Sequence, residues 1–521
     1  MSQAQPDQAI AGSSSDTQLA RIARGGALNL VGGVTAGISG FVLTVIVTHG
    51  WDPTTAGLLF SSTSLFLILS ATGLLGTDTG LARYVLRYEA QGRGNDVSTL
   101  LKTALTPVVV VGVLTGLLLA LGADPIATWV GLPARASDVL RVFAVALPLA
   151  VLSDACLAAI QAFGNMRATV VVDRLLRSGG QPIAAGVAVL IGVGLTGLSV
   201  SWALPYAVAA AISPVILLRT VRRRGRRQVD QLPPRPTAEI RREFWSYTWL
   251  RGVARLFQVA LQRSDIIMVA ALRSPAEAAL YTAATRFVIL GQLGVMAIQQ
   301  VLRPRLSEML VVADDVETNR VFATSTAWIM ALSWPIYITA IVAGPLYLKI
   351  FGERYVQHGE VVVVLMGLGM LLAMAAGPVD VILLMAGRSA LSLINNSSAL
   401  AVNIALNLVL IPRYGINGAA ASWAIALGVR NILPFIQVRR TLGLSSISKA
   451  MLIVSIASVG CFALPMSALR FTVGLDVLPA VLVLILSGVL YLALLWHWRN
   501  DLELQALRRA RRRGQRRVPN E

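Results

Sequence analysis

A chain of 521 residues with 55% apolar and only 14% charged residues is too hydrophobic for a soluble globular protein, in which about a quarter of the residues are charged. The mean hydropathy of +0.69 and the formal net charge of +19 predict an all-α protein that crosses a membrane many times. The positive charge lies beside apolar stretches, where the positive-inside rule accounts for it, so we expect no nucleic-acid partner.

Cysteine and histidine usage argues against a metal or cofactor site. Cys156 and Cys461 lie in apolar runs and form no spaced metal motif. The three histidines, His49, His358 and His497, are scattered at predicted ends of spans. We therefore predict no metal, no cofactor and no catalytic site.

In chain order, the first 20 residues are polar and rich in Ser and Gln, which predicts a disordered tail. Fourteen apolar stretches follow, each long enough to cross a bilayer at about 20 residues. Their predicted bounds are 25–49, 55–80, 102–123, 138–162, 168–193, 196–218, 244–271, 277–302, 321–344, 359–386, 389–411, 416–438, 448–468 and 477–498.

The distribution of basic residues predicts the orientation. With the N-terminus in the cytoplasm, 31 of the 45 Lys and Arg residues fall in loops and tails on the inside, 7 on the outside and 7 within spans. Basic loops stay in the cytoplasm. Both termini are therefore predicted to be cytoplasmic.

An internal repeat divides the chain. A shift of 221 residues superimposes several features, among them Phe66 on Phe287, Gly73 on Gly294, Arg167 on Arg388 and Trp202 on Trp423. Six spans in each copy predict two lobes related by an axis along the membrane normal. The predicted parts are a tail 1–20, an N-lobe 21–218, a basic linker 219–243, a C-lobe 244–440, two further spans within 441–498, and a basic tail 499–521.

The seventh span carries a polar stripe on an otherwise apolar helix. Arg251, Arg255, Gln258, Gln262 and Asp265 fall within roughly 80° of one another at 100° per residue. An arginine at mid-membrane costs about 2.5–3.5 kcal/mol on insertion scales, so such a face is expected to line a cavity or to find partners. We interpret it as the wall of a substrate cavity.

Other charged residues within spans extend this candidate site. Arg286 lies mid-span without an acid one turn away, and Arg177 lies in the fifth span with Arg174 one turn nearer the cytoplasm. Asp173 and Arg177 are four residues apart and are spaced to neutralise each other. Asp154 and Asp265 are candidate acids for ion coupling or for pairing with an arginine.

Several segments resemble a known transporter group. They include 56–60 (AGLLF), 278–281 (AALY), 74–83 (LLGTDTGLAR) and 415–420 (GINGAA). The chain resembles the oligosaccharide flippases (Wzx-type polysaccharide exporters) of the multidrug/oligosaccharidyl-lipid/polysaccharide superfamily. The resemblance implies two six-helix lobes plus two helices, and transfer of polyprenyl-pyrophosphate-linked sugars to the outer leaflet.

The first span departs from the lipid II flippases of the same fold, which carry charges there. Residues 28–48 hold no charged side chain, and the positions 221 before Arg251, Arg255 and Asp265 are Leu30, Val34 and Thr44. This departure argues against a peptidoglycan precursor as the substrate.

The sequence therefore predicts a flippase, not an enzyme, whose cavity binds the pyrophosphate of a lipid-linked oligosaccharide. Further predicted partners are anionic lipids at the basic tail and polysaccharide assembly proteins. Two alternatives stay open. An ion-coupled multidrug exporter would need a deep acid, for which Asp154 is the candidate by depth. A membrane glycosyltransferase or polymerase would need a large loop or domain for its catalytic groups, and the predicted loops are short.

Overall fold

The computed structural model describes residues 31–129, 133–225, 233–292, 294–296, 298–299, 302 and 315–503. The predicted tail 1–20, the middle of the basic linker (226–232) and the basic tail from residue 504 onward lie outside the described residues. Throughout the described part the regular structure is helical, as the composition predicted.

The N-terminal half forms eight helices in the described residues. In chain order α1 covers Val31–Gly50, α2 Pro53–Leu74, α3 Thr77–Ala90, α4 Gly94–Leu121, α5 Ala123–Trp129, α6 Arg135–Ala162, α7 Met166–Ile191 and α8 Leu195–Gly225. α7 is composite, with a π-helical stretch at Val170–Ser178 between two α-helical pieces. A π-helix is rare and often marks a functional site.

Residues 287–292 of the C-terminal half are helical, and nine further helices have bounds in the described part. They are α9 Thr237–Leu272, α10 Pro275–Ala284, α11 Asp315–Val342, α12 Gly344–Lys349, α13 Glu353–Ala376, α14 Val379–Met385, α15 Ser389–Leu442, α16 Lys449–Thr472 and α17 Val477–His497. α16 contains a short π-helical stretch at Val459–Ala463.

Eleven described helices are long and apolar enough to cross a membrane. The predicted fifth span corresponds to the composite α7 and the predicted seventh span to α9, and neither of these helices is among the eleven. α15 covers two predicted spans, and it is interrupted at Gly415, whose φ of 55° and ψ of −136° are not helical. The polytopic all-α fold is confirmed, whereas the count of fourteen spans stays a prediction.

The chain divides into two compact units. The first contains the described residues up to Ile46, together with Leu65–Trp129 and Pro133–Val259. The second contains Val47–Ser64 and the described residues from Ala260 onward. The predicted lobe boundaries at 218 and 244 stay predictions.

The core of the first unit is built where α6 packs against α4 and α8. At its centre Phe66 is 1% exposed and contacts the rings of Phe143, Trp202 and Tyr206, with centroids 5.2–5.5 Å apart. A second apolar cluster joins α3 and α6 to the first turns of α9 through Ile240 and Phe244. The start of α9 is thereby held in the core of this unit.

In the second unit, α13 packs between α11 and α15, and α16 and α17 cover α11. Large apolar side chains remain exposed along α17, including Leu482, Ile485 and Leu486 at 59–71%. Exposed apolar residues on long helices are what a lipid environment demands.

Candidate functional site

The polar stripe lies on α9. This helix begins after a Pro-rich segment, because residues that precede prolines disfavour the helical conformation. Along α9 the side chains of Arg255 and Gln262 are exposed, those of Arg251 and Gln258 are half-buried, and that of Asp265 is buried. The stripe is therefore only partly covered. Residues to Val259 belong to the first unit, and those from Ala260 to the second.

Glycines bring α9 against the junction of α2 and α3. Leu75 and Gly76 adopt positive φ values of 53° and 77°, which separates the two helices. A Cβ on Gly252 would lie 2.7 Å from the carbonyl carbon of Leu75, and a Cβ on Gly76 would overlap the backbone nitrogen of Gly252. The backbones meet only because both residues lack side chains. This contact positions Arg251 and Arg255 within the first unit.

Neither arginine of the stripe has an ion-pair partner within 4 Å among the residues that the structure describes. Arg251 lies over the ring of Tyr247, 5.3 Å from its centroid. Arg255 donates from Nη1 to Oε1 of Gln258 at 3.4 Å. Two positive charges on a long helix thus meet an aromatic face and an amide, which leaves both guanidinium groups able to bind an anion.

The π-helical stretch of α7 holds a different kind of cluster. Arg177 forms ion pairs with Asp154 of α6 and with Asp173 one turn earlier, and its guanidinium lies 4.9 Å from the ring centroid of Tyr206. Nε of Arg174 contacts Oδ2 of Asp173 at 2.9 Å. Two carboxylates therefore balance two guanidinium groups. The spacing had suggested the Asp173 pair, whereas Asp154 and Tyr206 come from the two flanking helices, α6 and α8.

The two clusters of the first unit are electrostatically linked. Arg255 is close enough to Asp154 for its charge to act on that carboxylate. Asp154 is thus a partner of Arg177 that also faces the charge of a stripe arginine. This arrangement brings together four predicted site residues, namely Arg174, Arg177, Arg255 and Asp154.

Asp265 lies in a neutral polar cluster of the second unit. Its Oδ1 accepts from Nδ2 of Asn407 at 2.6 Å, and its Oδ2 accepts from the hydroxyl of Tyr281 at 3.2 Å. Nδ2 of Asn407 also donates to Oδ1 of Asn403 at 3.2 Å. No basic side chain lies within 4 Å of Asp265 in the described part of the chain. From the sequence, Asp265 was a candidate for ion coupling or for pairing with an arginine, and these neutral partners were not predicted.

Arg286 is a cation with little compensation. Its Nε is buried without a hydrogen-bond partner in the described residues, and its guanidinium lies 5.9 Å from the ring centroid of Phe60. Arg263 is near enough to repel it electrostatically. An arginine held in this way favours an anionic ligand.

A third ionic cluster surrounds the end of the linker and was not predicted. Glu243 contacts Arg87 at 2.6 Å and Arg235 at 3.0 Å, and it accepts from the hydroxyl of Tyr88 at 3.0 Å. Arg235 also pairs with the buried Asp96 at 3.3 Å. Burial opposes the charge of Arg235, but Tyr88, Glu243 and Asp96 outweigh it and raise the pKa of Arg235. Every charge here has a partner, which indicates a structural role.

No group of three or more His, Cys, Asp or Glu side chains gathers at one point in the described ranges.

Comparison with known proteins agrees with the helical architecture. Three similar structures are the lipid II flippase MurJ in an inward closed conformation, a multidrug-resistance MATE transporter in an inward-facing conformation, and a transporter of the same superfamily from Pyrococcus furiosus described as having a binding pocket of reversed polarity. The MurJ structure has a TM-score of 0.72 at 12% identity, and the match covers 91% of this chain and 98% of that one. The MATE transporter has a TM-score of 0.62 at 13% identity, with coverages of 78% and 94%. The Pyrococcus furiosus transporter has a TM-score of 0.57 at 14% identity, with coverages of 81% and 95%.

At sequence identities this low, the structural similarity establishes the fold alone. The fold is that of the multidrug/oligosaccharidyl-lipid/polysaccharide transporters. No curated protein sequence matches the chain significantly. The family profile described as "Polysaccharide biosynthesis protein" matches residues 22–310, which is more than half of the chain. The chain therefore belongs to the polysaccharide biosynthesis protein family.

Proposed function

We propose that this membrane protein moves polyprenyl-pyrophosphate-linked oligosaccharides across the bacterial plasma membrane, by alternating access, for the synthesis of cell-surface polysaccharide. The observation that carries the proposal is that Arg251 and Arg255 have no carboxylate within 4 Å in the described residues. A pyrophosphate is the ligand that such guanidinium groups bind best, because two oxygens accept parallel hydrogen bonds.

In this proposal the residues have distinct roles. Arg251, Arg255 and Arg286 attract the pyrophosphate, and Gln258 and Gln262 offer amides to its oxygens or to the first sugar. Arg174 and Arg177 are already paired with carboxylates, so Arg177 contributes by holding Asp154 and Asp173, and Arg174 by holding Asp173. The polyprenyl tail stays in lipid, since the long helices expose apolar side chains.

The orientation and the further partners belong to the same proposal. Both termini face the cytoplasm, and anionic lipids bind the basic tail, whose residues from 504 onward lie outside the described part. Assembly proteins of the polysaccharide pathway take up the product. The supporting observations are the family membership and the distribution of Lys and Arg along the sequence.

An ion-coupled multidrug exporter is the second candidate, and one observation favours it. Asp265 is 3% exposed and has only neutral hydrogen-bond partners in the described residues. A buried carboxylate without a basic partner is the kind of group that binds a proton or a metal cation during coupled transport. The two candidates differ in the charge of the substrate, because Arg251 and Arg255 would repel a cationic drug.

The test is a translocation assay in proteoliposomes that contain a fluorescent undecaprenyl-pyrophosphate oligosaccharide. We expect the wild-type protein to expose the label to an external quencher. Arg255→Ala should slow this exposure by roughly tenfold or more, the loss expected when one hydrogen bond to a charged group disappears. Arg141→Ala is the control, because Arg141 is half-exposed and paired with Asp124 and Asp138.

Membrane levels of both variants should equal those of the wild type. Full translocation by Arg255→Ala would overturn the assignment of Arg255 to pyrophosphate binding. Failure of the wild-type protein to move this lipid, together with export of a cationic dye, would replace the flippase with the exporter.

A further inference from the structure

A polar pocket opens in the second unit, and none of its lining residues belongs to the candidate site. It has a volume of about 520 Å³ and lies where the α9–α10 junction, the start of α13 and the interruption of α15 meet. This size lies within the range of about 300–1,000 Å³ that is typical of small-molecule sites. Its lining consists of Arg273, Glu277, Leu280, Gln357, His358, Glu360, Val361, Tyr414, Gly415, Ile416 and Asn417.

The backbone at Gly415 forms one wall of the pocket. With φ at 55° and ψ at −136°, this residue adopts a conformation that side chains strongly disfavour. A Cβ at Gly415 would lie 2.8 Å from Oε2 of Glu277. Ser274 caps α10 by accepting from the backbone nitrogen of Glu277 at 3.2 Å. The carboxylate of Glu277 is therefore held against the turn by local structure on both sides.

The charges of this pocket are balanced, in contrast to those of the polar stripe. Nε of Arg273 contacts Oε1 of Glu277 at 3.2 Å. Glu360 pairs with Arg470, whose Nη2 lies 2.5 Å from Oε1. Each carboxylate of the lining thus has a guanidinium partner. A strongly charged ligand would break these pairs, whereas a neutral polar ligand would add hydrogen bonds to them.

The remaining groups fit a ligand rich in hydroxyls. A hydroxyl both donates and accepts, and the pocket offers carboxylate acceptors, guanidinium donors and the amides of Gln357 and Asn417, which do both. Oδ1 of Asn417 is buried and has no hydrogen-bond partner in the described residues. The ring of Tyr414 is 62% exposed at the rim, which leaves a flat apolar face for the C–H groups of a sugar ring.

We propose that this pocket binds a neutral saccharide unit of the transported glycan. The proposal rests on the proposed function and names a second, separate subsite for the same substrate. The Lys and Arg distribution predicts that the 272–277 segment, the start of α13 and Gly415 all face the outside. The pocket would then receive sugar units after the pyrophosphate has crossed, and it would favour release to that side.

Saturation-transfer NMR on the full-length protein in nanodiscs tests the proposal. The probes are the methyl glycosides of glucose, galactose, mannose, rhamnose and N-acetylglucosamine, each neutral and water-soluble. We expect at least one of them to receive saturation from the wild-type protein. Tyr414→Ala and Asn417→Ala should each lower its affinity at least about fivefold, the effect of losing one ordinary contact.

Phe471→Ala is the matched control, because Phe471 is an aromatic residue that is 83% exposed and does not line the pocket. Binding in this control should equal that of the wild type. Failure of all five glycosides to bind the wild-type protein would overturn the proposal. Equal binding by wild type, Tyr414→Ala and Asn417→Ala would also overturn it.

The same samples separate this proposal from the proposed function. Glycoside binding that depends on Tyr414 in a protein that moves no lipid-linked oligosaccharide would support the pocket and reject the flippase. Translocation that depends on Arg255, without any glycoside binding, would support the flippase and reject the pocket.

Discussion

Arginines occupy two contrasting environments in the first unit. Arg177 lies between two carboxylates and over an aromatic ring, with only 17% of its side chain exposed. Arg251 and Arg255 lie on another helix of the same unit, contact a tyrosine ring and a glutamine, and have no carboxylate within 4 Å among the described residues. A paired arginine has its charge neutralised by the protein, whereas an unpaired one leaves that task to a ligand. We propose that this difference separates structural arginines from substrate-binding ones.

The first prediction tests the paired side of this comparison. Arg177→Ala would leave Asp154 and Asp173 without their shared cation, and breaking such a buried pair costs about 3–5 kcal/mol. We expect this loss in the free energy of unfolding measured in mixed micelles. The control is the triple variant Asp154→Asn, Asp173→Asn, Arg177→Gln, which removes all three charges and should be less destabilised. Equal stability of Arg177→Ala and the wild type would contradict the structural role.

The second prediction concerns the ionic cluster at the end of the linker. Glu243→Gln removes the charge shared by Arg87 and Arg235, and we expect the opening free energy of the first turns of α9 to fall by about 1–3 kcal/mol. Hydrogen exchange of the backbone amides in 237–246 measures this change. Glu239→Gln is the matched control. Glu239 is 56% exposed, and its contact with Arg235, at 3.4 Å, is longer than that of Glu243. Equal exchange in the two variants would reject the cluster as an anchor.

The third prediction concerns an arginine whose removal should lower substrate affinity and leave stability unchanged. Arg286→Gln removes a buried cation whose Nε has no hydrogen-bond partner in the described residues, so we expect no loss in the free energy of unfolding. Affinity for undecaprenyl pyrophosphate in nanodiscs should fall roughly tenfold, as when one hydrogen bond to a charged group is lost. Destabilisation of the variant with unchanged affinity would place Arg286 on the structural side of the comparison.

The smallest effect is expected for an exposed pair. Arg141 contacts Asp124 at 2.6 Å and Asp138 at 3.3 Å, but all three side chains are about half-exposed or more. Water and salt screen such pairs, so Arg141→Ala should change the free energy of unfolding by less than about 1 kcal/mol. The same unfolding measurement checks it, with Arg177→Ala as the reference. A loss as large as that of Arg177→Ala would show that burial does not distinguish the two kinds of pair.

Helices were predictable from this sequence because the length of an apolar run directly reflects bilayer thickness. The position of Arg251 and Arg255 on one face of α9 also followed from the helical period. The Asp173–Arg177 pair was predictable for the same reason, since four residues bring side chains together on a helix.

The partners of isolated charges were not predictable, because they come from other helices. Asp154 and Arg177 are 23 residues apart, and Asp265 and Asn407 are 142 apart. No local pattern encodes such a pair in a single sequence. The π-helical stretch of α7 was also missed, since its residues, VVVDRLLRS, are equally compatible with an ordinary α-helix. The polar pocket depends on the backbone conformation at Gly415, which a glycine permits but does not require.

Native mass spectrometry of the purified protein tests the central claim most directly, namely that the unpaired arginines bind an anionic lipid-linked substrate. Undecaprenyl-pyrophosphate oligosaccharide, undecaprenyl phosphate and a cationic dye are offered in competition to the wild type and to Arg255→Ala. The account predicts preferential retention of the pyrophosphate-linked sugar by the wild type and loss of that preference in the variant. Preferential retention of the dye, or identical preferences in the two proteins, would contradict it.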